Sequence, residues 1–172
     1  MTDRYALITG ASSGIGAEFA RQLAAQGVHL ALVGRSEARL APVAEEIRAA
    51  YPVAVETLAA DLGGAQGVER VITFIEALPH LDYLVNNAGY GVPGRFLSSD
   101  WKVHADFLQV MITAVAELTH LYLPAMERAG RGRILNIASL AGIAPPSAGH
   151  TLYGATKAWL IRFSECLALE SG

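Results

Sequence analysis

Tyr153 and Lys157 are the pair in this 172-residue chain best suited to acid–base chemistry. Residues four apart on an α-helix stack on one face. If Tyr153-Gly154-Ala155-Thr156-Lys157 opens a helix, phenol and ammonium stand beside the same ligand. A cation about 6 Å away, at an effective dielectric of about 20, favours the phenolate by roughly 3 kcal/mol and draws a tyrosine pKa of about 10 down by about two. The phenol then serves as an acid or base near neutral pH. Tyrosine and lysine at this spacing also occur on solvated helices of unrelated chains, so the surrounding elements must decide.

Those elements begin at the N-terminus. A short apolar run, Tyr5 to Ile8, ends in Thr9-Gly10-Ala11-Ser12-Ser13-Gly14-Ile15-Gly16, and Ala17 to Gln26 follows with helical periodicity closed by Gly27. A strand, a glycine turn and a helix in that order build an anion site from free helix N-terminal amides. Gly10 permits a tight turn, Gly14 admits a pyrophosphate close to the backbone, and Gly16 allows close helix packing. The spacing departs from G-x-G-x-x-G, and a glycine turn alone is often only structural.

His29 to Val33 reads as a second strand buried on both faces. At its end an acidic residue would bond the ribose 2′-hydroxyl of NAD, whereas an arginine accommodates the 2′-phosphate of NADP. The chain has Gly34-Arg35-Ser36 there, with Arg39 one turn on, so NADP is expected over NAD. Leu40 to Ala50 continues a helix that Pro52 breaks. Val53 to Leu58 is a third strand leading to Asp61 and Leu62, with Asp61 either beside the adenine or capping the next helix. A helix from about Gly67 to Leu78 precedes the strand Tyr83-Leu84-Val85.

The turn Asn86-Asn87-Ala88-Gly89 follows, with small residues that let a flat ring approach and asparagines that tie neighbouring strands together. Gly91 to Ser99 is a loop, and Asp100 caps a long helix from Trp101 to about Glu127, bent near Pro124. Arg133 to Ala138 makes a fifth strand ending at Ser139. A loop with Pro145-Pro146 returns the chain to Tyr153. Strands and helices alternate throughout, which argues a parallel α/β sheet with right-handed crossovers, in one domain over 1–172.

Composition narrows the partners. With 13 basic and 16 acidic residues and a net charge of -3, there is neither a basic run nor an aromatic-basic stripe for nucleic acid. The longest apolar region, Phe107 to Met126, is interrupted by Gln109, Glu117 and His120 and suits a buried helix, so no membrane span is expected. The opening residues reach Thr9-Gly10 too soon for a signal peptide. Cys166 is the only cysteine. A cytoplasmic location is therefore expected. His29, His80, His104, His120 and His150 lack metal-ligand spacing, so no metal is expected.

Thr9 to Gly16, Asn86 to Gly89, Ser139, and Tyr153 with Lys157, in this order and spacing, resemble the short-chain dehydrogenase/reductase family across nearly the whole chain. The resemblance implies a Rossmann-type, doubly wound α/β/α sheet and hydride transfer between NADP(H) and a small carbonyl or alcohol substrate. Tyr153 would be the general acid or base, Ser139 would hold the substrate oxygen, and Lys157 would bind ribose and lower the tyrosine pKa. Gly10, Ser12, Ser13, Gly14, Ile15 and Gly16 would line the pyrophosphate. Arg35, Asp61, Leu62, Asn87, Ala88 and Gly89 would complete the cofactor site, with Asp61 and Asn87 flanking the adenine. A homo-oligomer is expected from the apolar outer faces of the long helix and the Tyr153 helix.

Two departures bear on activity. Met111 stands where similar proteins carry an asparagine that supports a proton relay, and a thioether accepts weakly and cannot donate. Similar proteins also continue into two further strands and a substrate lid, so the sheet is expected to stop after the fifth strand and its helix. A catalytically silent nucleotide-binding module is the competing reading.

Overall fold

The computed structural model describes residues 4–171 and shows five parallel strands in the order β3-β2-β1-β4-β5. The strands are β1 (Tyr5–Thr9), β2 (His29–Gly34), β3 (Val55–Ala59), β4 (Leu81–Asn86) and β5 (Arg133–Asn136). The helices are α1 (Gly14–Ala25), α2 (Glu37–Ala50), α3 (Ala65–Glu76), α4 (Trp101–Leu108), α5 (Ala114–Ala129) and α6 (Thr151–Glu170). The chain winds outward from β1 through β2 to β3, then crosses back to lay β4 against the other side of β1. A doubly wound sheet with this reversal opens a crevice at the carboxyl ends of its central strands, the usual place for a ligand.

Every residue of β1 is buried, as expected of a strand covered on both faces. Alternate side chains feed two cores. Ala6 and Ile8 pack with Ala20, Leu23, Leu40 and Ile47 of α1 and α2, while Leu7 packs with Val68, Val71, Val110 and Leu118 on the opposite face. Three layers result.

Several boundaries differ from the sequence expectations. β3 starts at Val55 rather than Val53, because the Ala54 amide is turned to donate to His29 Nδ1 at 2.9 Å. β4 starts at Leu81 and carries buried Asp82, which meets Arg131 at 3.3 Å and His80 at 2.9 Å and so tolerates a strand interior. α1 starts at Gly14, and α2 starts at Glu37 and runs through Pro42. β5 is assigned only to Asn136, although the Ile137 amide still donates to the Asn86 carbonyl at 3.0 Å.

The long helix departs most. It runs through Pro124 but widens into a π-helical turn at Gln109–Thr113, centred on Met111. Trp101–Ala129 is long and apolar enough to cross a membrane by length and composition. In this fold its Phe107, Val110, Ala114 and Leu118 are buried. Asp100 occupies the position before α4, yet its side chain makes no capping bond.

Candidate functional site

The turn after β1 is shaped by contacts that exclude side chains. Gly10 and Gly14 have φ of +67° and +56°, values that L side chains rarely adopt. A Cβ on Gly16 would lie 2.5 Å from both the Gly10 carbonyl oxygen and Asn87 Nδ2. The glycine there is thus required by the turn folding onto itself and onto β4's end, rather than by the helix packing expected from sequence.

Asparagine and threonine lock the two turns together. Thr9 Oγ1 donates to the Val85 carbonyl at 3.3 Å and accepts from the amides of Asn87 and Ala88, each at 3.0 Å. Asn87 Nδ2 donates to the carbonyls of Thr9 and Gly10 at 2.9 and 3.1 Å. Asn86 Nδ2 donates to Asn136 Oδ1 at 2.9 Å and to Thr119 Oγ1 at 3.3 Å. The asparagines do tie neighbouring strands, as their sequence position suggested. The side chain of Ser13, just before α1, makes no capping bond to the first amides of that helix, which leaves those donors to a ligand.

Two hollows open on either side of these turns. The first, about 290 Å³, is lined by Gly10, Ser12, Ser13, Arg35, Ser36 and Arg39 together with Asp61, Leu62, Ala88, Gly89 and Tyr90. Arg35 is exposed at its rim, and Asp61 Oδ1 accepts from the Gly63 amide at 3.0 Å. Gly64, rather than Asp61, precedes α3, so Asp61 does not cap that helix.

The second hollow, about 570 Å³, brings Ser139, Tyr153 and Lys157 together with Ser13, Ile15, Asn87, Ala88 and Gly89. Asn87 lines this hollow rather than the Asp61 one. The reason is its double bond to Thr9 and Gly10, which turns the side chain toward the glycine loop.

Tyr153 lies in the first turn of α6, as its spacing predicts, and Lys157 Nζ is 5.8 Å from the Tyr153 ring centroid. Lys157 is buried and donates to the Ile137 carbonyl at 2.6 Å. Burial draws its ammonium below the usual lysine range. Ser139 Oγ accepts from the Ala141 amide at 3.2 Å, leaving its hydroxyl proton free to donate outward.

The Ser139 turn and α6 touch backbone to backbone. A Cβ on Gly142 would sit 2.7 Å from the Lys157 carbonyl carbon, and one on Gly154 would sit 3.1 Å from the Ala141 oxygen. Met111 reaches the site's back wall, with its sulfur 3.0 Å from where a Cβ on Gly89 would be. Tyr90, His150 and the Ile137 carbonyl were not singled out from sequence. Only Tyr90 had a visible signal, directly following the asparagine turn. Among the described residues no cluster of metal-binding side chains occurs.

The family model for short chain dehydrogenases matches residues 4–172, and the chain belongs to that family. The class is one of nicotinamide-dinucleotide oxidoreductases on a Rossmann-like sheet. Among curated relatives, the very-long-chain 3-oxoacyl-CoA reductase of Laccaria bicolor is 38% identical over 170 residues, covering 96% of this chain and 50% of its own length. The chain thus spans about half the length of the very-long-chain 3-oxoacyl-CoA reductases it matches. Among solved structures, the bulky-bulky ketone specific alcohol dehydrogenase of Comamonas testosteroni superposes with a TM-score of 0.92 at 35% identity, covering 99% of this chain and 68% of that one. A short-chain dehydrogenase from Sphingobium yanoikuyae in complex with NADPH gives 0.91 at 37% identity, covering 97% and 65%.

Proposed function

We propose that the chain carries the cofactor-binding and proton-transfer machinery of a cytoplasmic, NADP-preferring carbonyl reductase or alcohol dehydrogenase. The observation that carries this reading is the convergence of Ser139, Tyr153 and Lys157 on one hollow that continues into the glycine turn. The residues present fit a dinucleotide: Gly10 and Gly16 keep the turn free of side chains, and the first amides of α1 have no helical partner. Ser12, Ser13, Gly14 and Ile15 would line the pyrophosphate. Arg35, with Arg39 behind it, would take the 2′-phosphate, while Asp61, Leu62, Ala88 and Gly89 would border the adenosine.

A bound nicotinamide supplies or accepts the hydride. In the reducing direction, Ser139 donates a hydrogen bond to the substrate carbonyl oxygen and Tyr153 gives that oxygen its proton; in the oxidising direction, Tyr153 takes the proton back. Lys157 would anchor the ribose from its place beside the Tyr153 ring. Leu140 and Ile143 are exposed beside Ser139 and suit a partly apolar substrate. The Laccaria and Comamonas proteins are named for acyl and bulky ketone substrates, which agrees with that choice.

Loss of NADPH absorbance with a panel of apolar ketones tests the proposal. Tyr153→Phe should lower turnover by roughly 10²–10⁴-fold. Absence of turnover by a folded sample, unchanged in Tyr153→Phe, would refute it. Arg35→Ala should weaken NADP by about tenfold and NAD far less, given the worth of a hydrogen bond to a charged group; equal weakening would overturn the cofactor preference.

A second reading, a nucleotide-binding module without turnover, is favoured by Met111, whose buried thioether offers no donor at the back of the site. Calorimetry separates the two. Cofactor binding without hydride transfer supports the module, and no binding defeats both.

A further inference from the structure

Tyr90 stands where the two hollows meet and lines both. Its ring is braced from behind. Phe107, fully buried on α4, meets it edge-on with centroids 5.5 Å apart and planes at 87°. Such pairs have a preferred geometry and hold each other's orientation. In front lies Arg35, with its guanidinium carbon 5.9 Å from the Tyr90 ring centroid. Arg35 is exposed and, among the described residues, makes no ion pair or hydrogen bond with another side chain.

The contact matters because of what a free arginine loses. A long exposed side chain gives up rotamer freedom when it grips a phosphate, and one already held gives up less. A guanidinium over an aromatic face at an exposed site gains a factor of roughly 2–5 in an equilibrium constant. Burial, with the charges of Asp106 and Asp61, pushes the Tyr90 phenol up. The ring therefore faces Arg35 as a neutral phenol, and the attraction is that of a ring face rather than a phenolate.

We infer that Tyr90 is a positioning residue for cofactor discrimination: braced by Phe107, its ring holds Arg35 at the rim of the Asp61 hollow, so that preference for a 2′-phosphorylated dinucleotide depends on an aromatic ring at position 90. The inference rests on the NADP reading proposed above. It extends that reading by placing part of the selectivity on an uncharged residue that need not touch the phosphate.

Calorimetric titration of the 172-residue chain with NADP and with NAD tests it. Tyr90→Leu should weaken NADP roughly threefold to fivefold and leave NAD unchanged. Tyr90→Phe, which keeps the ring and the Phe107 contact, should bind both cofactors like the parent. In an Arg35→Ala background, Tyr90→Leu should change neither affinity, because the residue acts through the arginine. If Tyr90→Leu lowers the melting temperature, Tyr90→Met, which fills more of the space, takes its place. Equal weakening of both cofactors by Tyr90→Leu would make Tyr90 a mere wall of the hollow and overturn the inference. Tyr90→Phe binding as poorly as Tyr90→Leu would overturn it too, by assigning the effect to the hydroxyl. In both cases Arg35→Ala still reports on the NADP reading. An unchanged NADP preference in Arg35→Ala removes that reading, and the inference with it.

Discussion

Tyr122, on α5, shows how a single side chain sets a pH limit. Its hydroxyl is buried and has no hydrogen-bond partner among the described residues. Burial first, and the Glu76 charge second, push its pKa from 10.0 up to about 12. The folded chain therefore holds this proton after the unfolded chain has released it. The associated stability is complete below pH 10 and is lost as pH rises through about 12. Tyr122→Phe should flatten this alkaline loss, and it should also raise stability at pH 7 by about 1 kcal/mol by removing an unsatisfied buried group. Urea midpoints at pH 7, 10 and 11 check both effects. A variant that is less stable at pH 7 would show that the hydroxyl does find a partner.

At the scale of elements, the Ser139 turn and α6 form one unit because two glycines let their backbones touch. Gly142→Ala would press a methyl against the Lys157 backbone at 2.7 Å, where neither neighbour is a flexible side-chain end. Overpacking of this kind costs roughly 1–3 kcal/mol. Displacing Ser139 relative to Tyr153 by about 1 Å should cost on the order of 10²-fold in turnover. On the proposed reading, which puts the 2′-phosphate contacts on the Arg35 side, NADP affinity should change less than about twofold. Gly64→Ala is the control, since nothing lies within 4 Å of its added methyl. Equal loss of turnover in both variants would contradict the argument.

The same elements show how far the sequence could be read. The glycine turn, the asparagine turn and the Tyr153 helix were legible because each rests on local constraints: positive φ, backbone crowding and helical spacing. The parallel sheet was legible from its apolar runs. The π-helical turn at Met111 was not, because a proline at 124 is a visible local signal, while the fit of Met111 against Gly89 exists only after folding. The orientation of Asn87, the unbonded Asp100 and the Phe107–Tyr90–Arg35 stack were hidden for the same reason. The orientation of Asn87 and the contacts of Phe107, Tyr90 and Arg35 depend on side chains brought together from different parts of the chain.

At the scale of the whole molecule, β3 and β5 are the edges of the sheet, and a groove of about 520 Å³ runs beside β5 between α5 and α6. Met126, Ile134 and Leu167 line that groove, while Trp101, Val103 and Leu121 are exposed on the long helix. Apolar surface and an unpaired strand edge both favour association. Light scattering at tens of micromolar should give a mass at least twice that of the chain, and Leu121→Glu should shift it toward the monomer. A monomeric parent would refute the expected oligomer.

The Thr9–Asn87 clasp has a kinetic consequence. Its hydrogen bonds join residues 76 to 79 positions apart, so the floor shared by the two hollows exists only once the chain has passed through three strands and closed back on β1. Closing so long a loop is a late and slow event on the way to the native state. A partly folded chain would offer a dinucleotide only fragments of its cradle. Saturating cofactor should then leave the refolding rate of the chain nearly unchanged and act almost wholly by slowing its unfolding.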